Sequence, residues 1–388
     1  MKKTVFLLFF LLSNLIYSQD AWVQINDFPL ETTTRTSYAT DTNGFILLWN
    51  NDISTVQFYK YDPILDNYEQ LADFPVQDNS YFTSFVVNNE GYVLLRDWNT
   101  PDSVVLLYKY NESQNTWEQK ASTTFDFNGF SGFLGTAFSI NDKGYLATSG
   151  GGGGSANFKE YDPVNDSWTV KPNYLGPSEG GSLDFTIGDI GYLVFGNDDF
   201  NYYPILWSYN QNTETWTQLE DIPWGGGSNA DASFAIGEYG YVGLNPNVGS
   251  NVFYRYLPSS NTWEQIENCG YWARGSFSFS INNIGYVGAG YSFVYEKQVW
   301  SLDPELLSIN NNENIDTIIV YPNPVNDFLN IQSLHPNLKF TVFDINGKQI
   351  FNGTLISNQI SVSHLKSGTY IIKLIDDNIV SYIFFIKE

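Results

Sequence analysis

The chain has 388 residues, a length that suggests two domains, and it is 43% hydrophobic and 17% aromatic. Aromatics favour strands and can fill a sheet core, while a charged content of only 15% excludes a coiled coil and a charge-driven disordered chain. The formal net charge of −24 argues against nucleic acid or an anionic surface as partner, because both would be repelled at long range.

Residues 1–18 read as a signal peptide. Lys2 and Lys3 give a basic start, Val5 to Ile16 form an apolar run too short to span a bilayer, and Ser18 is a small residue before the cut. No cysteine lies near this segment, so no lipoprotein anchor is expected, and no later run of 18 apolar residues predicts a membrane span. The one cysteine, Cys269, cannot form an internal disulfide and is expected as a small core or loop residue. Residues 19–316 hold 37 acids against 11 bases, net −26, whereas residues 317–388 hold five of each. The first domain therefore carries the acidity, which favours solubility outside the cell.

Within residues 19–306 a Gly-aromatic pair recurs six times: Gly44-Phe45, Gly91-Tyr92, Gly144-Tyr145, Gly191-Tyr192, Gly240-Tyr241 and Gly285-Tyr286. A polar turn and a short apolar run precede each pair, which predicts strand, tight hairpin, strand, with the glycine supplying a positive φ. Tyr61, Tyr110, Tyr161, Tyr209 and Tyr256 each precede a second aromatic by seven residues, namely Tyr68, Trp117, Trp168, Trp216 and Trp263. Polar turns lie between them, so each unit gains a second hairpin. Four strands in about 48 residues make one propeller blade.

The sixth unit lacks its fourth strand: Ile309 stands where a Trp is expected. The missing strand is found at the other end, in Ala21-Trp22-Val23-Gln24, with Trp22 in phase with the repeat. The prediction is an all-β chain whose six-bladed propeller is closed by an N-terminal strand, which hides sheet edges that invite aggregation. The Gly-Tyr hairpin, the Tyr-Asp-Pro turn and the outer Trp resemble kelch repeats across residues 20–304. Paired glycines are clear only at Gly150 to Gly154, with a partial echo at Gly288 and Gly290. The repeat Tyr and Trp are expected to pack between blades.

Ser308 to Asp316 is polar and Asn-rich, and residues 307–316 read as a linker. Residues 317–388 alternate apolar strands with turn chemistry at Pro322-Asn323-Pro324, Asp344 to Gly347 and Ser367-Gly368, which predicts a small β-sandwich. The order and spacing of YPNPVNDFLNI, FTVFDINGKQI, LKSGTYIIKL and the terminal FFIKE resemble the type A C-terminal sorting domain of the type IX secretion system. The resemblance implies recognition by the outer-membrane machinery, usual removal of the domain, release or surface attachment of the passenger, and a source among the Bacteroidetes. The family's motif positions map to Pro322, Asn323, Pro324, Asp344, Gly347, Gly368, Tyr370 and Lys387.

Both histidines, His335 and His364, lie in the C-terminal segment. The propeller thus lacks the residues for Ser-His-Asp or Cys-His catalysis and for His-ligated metal. Asp198-Asp199 and Asp41-Thr42-Asn43-Gly44 group oxygens without the rest of an EF-hand loop, and neither a metal nor a cofactor is expected. Carboxylate-pair chemistry stays open, so a carbohydrate-acting enzyme of the sialic-acid mutarotase or glycosidase kind is the alternative to a binding propeller.

In a four-stranded meander the first-to-second and third-to-fourth connections share one face, and here they are short hairpins. The second-to-third and blade-to-blade connections share the other face and are long and irregular, the usual place for recognition. Those loops hold the non-repeat aromatics Trp98, Phe127, Phe130, Phe200, Tyr202, Tyr203, Trp224, Tyr271 and Trp272, with Arg35, Arg96 and Arg274. Aromatic and Arg side chains suit an extracellular protein or a glycan as partner.

Overall fold

The computed structural model describes residues 21–50, 53–76, 81–97, 104–125, 135–148, 157–173, 183–197, 202–224, 230–245, 249–310, 319–332, 338–344, 348–355, 358–376 and 379–388. Two compact units meet in sequence between Ile309 and Asn310. Among the described residues no helix is long and apolar enough to cross a membrane.

The first unit contains six four-stranded antiparallel sheets, one per sequence repeat. Blade 3 shows the pattern: Thr136–Ile140, Lys143–Thr148, Asn157–Asp162 and Ser167–Val170 pair in that order. Blade 6 is completed from the other end of the chain. Trp22–Ile25 pairs with Val299–Leu302, in the register Trp22 to Leu302 and Ile25 to Val299, as the displaced Trp predicts.

The repeat residues join neighbouring blades at two radii. Far from the axis, each fourth-strand aromatic donates to the carbonyl where the preceding blade ends. The Nε1 groups of Trp117, Trp168, Trp216 and Trp263 reach the carbonyls of Ala72, Ala121, Pro172 and Glu220 at 2.8–3.2 Å. Trp22 does the same to Glu267 at 2.9 Å, and the Tyr68 hydroxyl reaches Asn26 at 3.5 Å. The repeat Tyr packs on the same aromatic, with ring centroids 5.0 Å apart for Tyr110 and Trp117. The ring donors find partners this way while the rings, mostly half-buried, fill the wedge between sheets.

Closer to the axis the repeat glycines correct the sequence reading. None of the six carries a positive φ; that conformation belongs to turn residues before them, including Asn88, Asn89, Asn141, Gly188, Gly237, Asn282 and Asn283. Glycine is needed because an aromatic ring of the preceding blade lies against its Cα. A Cβ on Gly144 would sit 2.3 Å from the Phe85 ring, one on Gly191 2.2 Å from Phe138, and one on Gly44 2.2 Å from Phe279. The last of these contacts joins blade 6 to blade 1 and closes the ring.

The inner strands, Thr34–Ala39, Phe82–Val87, Thr136–Ile140, Leu183–Ile187, Ala232–Ile236 and Phe277–Ile281, surround a central channel. They are joined by side-chain hydroxyls. Ser84 Oγ donates to the Ser37 carbonyl, Ser37 Oγ to Ser278, Ser278 Oγ to Ser233, and Ser233 Oγ to Asp184, all at 2.8–3.1 Å. These bonds satisfy backbone groups on strand edges that have no ladder partner.

The C-terminal unit is a sandwich of two sheets. Ile319–Tyr321, Phe328–Gln332 and Gln359–Ser361 form one; Gln349–Thr354, Lys339–Asp344, Gly368–Asp376 and Ile379–Lys387 form the other. Alternating residues such as Leu329, Ile331, Val342, Ile372, Leu374 and Phe385 fill the core between them.

Candidate binding face and sorting surface

The inner strands start at the long-loop face, so the connections before them and the second-to-third loops meet there. Three of these segments are knitted together at the junction of blades 6 and 1. Phe28 N donates to Lys297 O, Thr34 N to Gly275 O and Gly290 N to Thr32 O, each at 2.8 Å, and Arg274 and Tyr291 exchange backbone hydrogen bonds. The residues displayed at this junction therefore sit on backbone that is held, which suits recognition.

The sequence-predicted residues divide among several environments. Arg274 is exposed, with its guanidinium 4.9 Å above the Tyr291 ring. Arg35 is half-buried beside Tyr81 and Tyr295, and burial lowers its pKa. Trp272 is half-buried and meets Phe293 edge to face at 5.4 Å. Arg96, also half-buried, ends the second strand of blade 2, away from this junction. Tyr203 is half-buried, and Tyr202 opens its strand by pairing with Asn197.

Two of the predicted aromatics are packed rather than presented. Trp224 is buried against Tyr254 at 5.6 Å, and Tyr271 is buried with its hydroxyl near Ser276 Oγ and the Ala289 carbonyl, both at 3.3 Å. Trp98, Phe127, Phe130 and Phe200 lie outside the described residues. Cys269 is buried, and burial pushes its thiol up to about 12, which suits a packing residue rather than a nucleophile.

Sequence reasoning missed two features. One is the second-to-third loop of blade 6, residues 289–298. Phe293 is 82% exposed and Val294 62% exposed at its tip, and Tyr291 and Tyr295 pack edge to face behind them at 5.3 Å. Phe293 has φ 79°, a left-handed conformation that costs an aromatic residue about 1–2 kcal/mol. The signal was present in the non-repeat spelling Tyr291-Ser292-Phe293-Val294-Tyr295.

The other feature is the channel, a cavity of about 550 Å³ lined by inner-strand residues. It holds two carboxyls, Asp184 of blade 4 and Asp231 just before the inner strand of blade 5. Asp184 Oδ1 accepts from Thr136 Oγ1 at 2.5 Å, and Asp231 Oδ2 accepts from Gly275 N at 2.6 Å. Both keep a little surface open to the channel but are otherwise enclosed by protein, and that enclosure pushes each up to about 7. Comparing the six inner strands would have exposed Asp184, because it occupies a position that is Ser37, Ser84, Ser233 and Ser278 in four other blades.

In the C-terminal unit the described motif residues gather at one end of the sandwich. Asn323 Oδ1 accepts from Ile386 N at 2.8 Å, and Val325 N donates to Ile386 O at 2.8 Å, which ties the Pro322-Asn323-Pro324 turn to the last strand. Gly368 is paired with Lys387 and Asp344 with Tyr370, and the Tyr370 ring stacks on Phe385 at 5.6 Å. Gly347 lies outside the described residues. Segments more than 60 residues apart in sequence are thus brought together.

Comparison with known proteins agrees with both units. Residues 319–388 match the family model of the secretion system C-terminal sorting domain. The chain is 27% identical over 246 residues to Kelch-like protein terF of Aspergillus terreus, an alignment covering 56% of this chain. It spans about half, 50%, of that curated relative's length. The solved structure of YjhT superposes with a TM-score of 0.57 at 12% identity, covering 71% of this chain and 95% of that one, a likeness of fold.

Proposed function

For this kelch-like propeller carrying a type IX secretion sorting domain, we propose a binding function outside the cell, with the partner docking on the long-loop face around the blade 6 tip. The sorting domain implies interaction with the type IX machinery and delivery by secretion or attachment at the outer surface. In the same reading residues 1–18 are a signal peptide that takes the chain through the inner membrane, and the link from passenger to sorting domain begins after the helix Pro304–Asn310, whose Leu307 packs in the propeller core.

The observation that carries the proposal is the exposed Phe293-Val294 pair, held at a left-handed φ on a loop bonded to its neighbours. An apolar tip kept in water in a strained conformation lowers stability, and covering it on binding recovers burial energy. Trp272 meets Phe293, Tyr295 packs on Tyr291, Arg274 lies over Tyr291 and Arg35 lies beside Tyr81 and Tyr295, residue types that anchor protein and glycan partners. The acidity of residues 19–316 selects partners that are neutral or basic at the contact.

The test is a panel of glycans and purified extracellular proteins probed with the propeller and with its Phe293→Ser, Val294→Ser double variant. Binding that is lost in the variant supports the proposal. Binding that survives in it rejects this face. Turnover of a sugar without stable binding supports the carbohydrate-acting reading instead.

A further inference from the structure

Four of the six inner strands carry a serine at the channel position, and four serine hydroxyls there donate to the neighbouring blade's backbone. Blade 3 has Ala137. Blade 4 has Asp184, whose carboxylate when ionised cannot donate. Two residues further on, Thr186 Oγ1 donates to the Ser139 carbonyl at 2.8 Å, as Ser280 Oγ does to the Ala235 carbonyl at 2.7 Å in blade 6. Asp184 instead accepts from Thr136 of blade 3, and it introduces a carboxyl at the position where four other blades carry serine.

Asp231 enters the same cavity from the adjacent blade. Each carboxyl has one oxygen held by a protein donor, Thr136 Oγ1 or Gly275 N. Among the described residues the second oxygen of each has no donor. Among the described residues no Lys, Arg or His lines the cavity; the exposed Arg274 lowers Asp231 by its charge but is not part of the lining. Enclosed carboxylates without a cation are unfavourable, and serine and threonine hydroxyls around them supply further acceptors.

We propose that the propeller channel, which both Asp184 and Asp231 line, is a binding site for small primary ammonium ions, diamines included. An ammonium brings three donors and a compact positive charge, matching carboxylate oxygens and the neighbouring hydroxyls. A metal is a poorer match: the described residues contain no group of three His, Cys, Asp or Glu side chains placed to hold one. Calcium takes six to eight oxygens. The acidity of residues 19–316 raises the local concentration of cations at the channel.

Binding couples to protons, because enclosure holds both carboxyls partly protonated near neutrality. Facing Asp231 are Arg274 and the buried Tyr271; facing Asp184 is the Thr136 hydroxyl, and no charged group. An ammonium entering at neutral pH therefore displaces protons.

The inference goes beyond the docking proposal and uses different residues. Calorimetric titration of the purified propeller with 1,4-diaminobutane, in low salt and in two buffers of different ionisation enthalpy, tests it. The expected result is saturable binding with proton release that is largest near pH 7 and small near pH 9. Asp184→Ser, which installs the residue of four other blades, and Asp231→Asn each weaken binding by at least about tenfold. The Phe293→Ser, Val294→Ser variant binds as the parent does, so failure of the docking face leaves this site intact. Absence of saturable binding, unchanged affinity in both carboxylate variants, or binding of calcium chloride but not of the diamine overturns the proposal.

Discussion

Replacing Gly44 by Ala tests ring closure with a single methyl group. The added Cβ would lie 2.2, 2.5 and 2.9 Å from Cζ, Cε2 and Cε1 of Phe279, well inside van der Waals contact. Phe279 cannot retreat freely: it is buried, stacked on Phe277 at 5.4 Å and packed on Tyr286 at 5.8 Å. Overpacking of this kind costs about 1–3 kcal/mol, and a clash with a locked ring belongs at the upper end, about 3 kcal/mol. Gly188→Ala is the control. Its Cβ meets nothing within 4 Å, so only the left-handed backbone at φ 57° opposes it, at about 1 kcal/mol. For a domain of this size these values lower the melting temperature by roughly 5–10 °C and 2–3 °C respectively. Denaturant midpoints of the same variants give the free energies, and Gly44→Ala combined with Phe279→Leu should recover part of the loss. In an open array nothing would stand over Gly44, and Ala would be neutral or stabilising by roughly 0.4–1 kcal/mol. A Gly44→Ala propeller as stable as the parent therefore refutes closure through this contact.

Trp22→Ala removes a buried indole and its bond to the Glu267 carbonyl, and should destabilise the propeller by about 3–5 kcal/mol in urea titrations; a loss below about 1 kcal/mol would mean that the N-terminal strand does not complete blade 6. Asp184 holds its proton up to about pH 7 when folded, whereas its unfolded value is near 3.8. The folded state therefore binds more protons between these values, and stability falls as pH rises through that window. Asp184→Ser should remove about 2 kcal/mol of this fall, after allowance for water in the channel, so it gains stability over the parent at pH 8 relative to pH 4.5; an identical slope in both proteins contradicts the assignment. A chain ending at Asn310 should melt as the full-length propeller does but fail to reach the medium or cell surface of the native host; export of the truncated chain would reject the role of the sorting domain.

The features legible in the sequence are those written many times. Six Gly-aromatic pairs and five Tyr-to-aromatic spacings set the blade count, and the vacancy at Ile309 together with Trp22 located the closing strand. The glycines' physical role was misread because the ring that excludes a side chain belongs to the preceding blade, far away in sequence, as Phe85 is from Gly144 and Phe279 from Gly44. A local reading assigns glycine to a turn, where Asn141 or Asn283 already supplies the positive φ. The binding face was legible as a side of the molecule but not as a set of contacts. Whether Trp224 and Tyr271 pack inward while Phe293 points outward depends on how irregular loops fold against one another, which no repeat encodes. Asp184 was hidden for a different reason: inside an apolar strand a single acid looks like an edge residue until the six strands are superposed on a common axis.

A photo-crosslinking amino acid placed at Val294, on the long-loop face, and separately at Asp142, on the short-hairpin face, tests the docking claim most directly in the native host. The account predicts one adduct of defined mass from position 294, reduced when Phe293 is also Ser, and none from position 142. Adducts from position 142 with none from 294 would place recognition on the opposite face and contradict it.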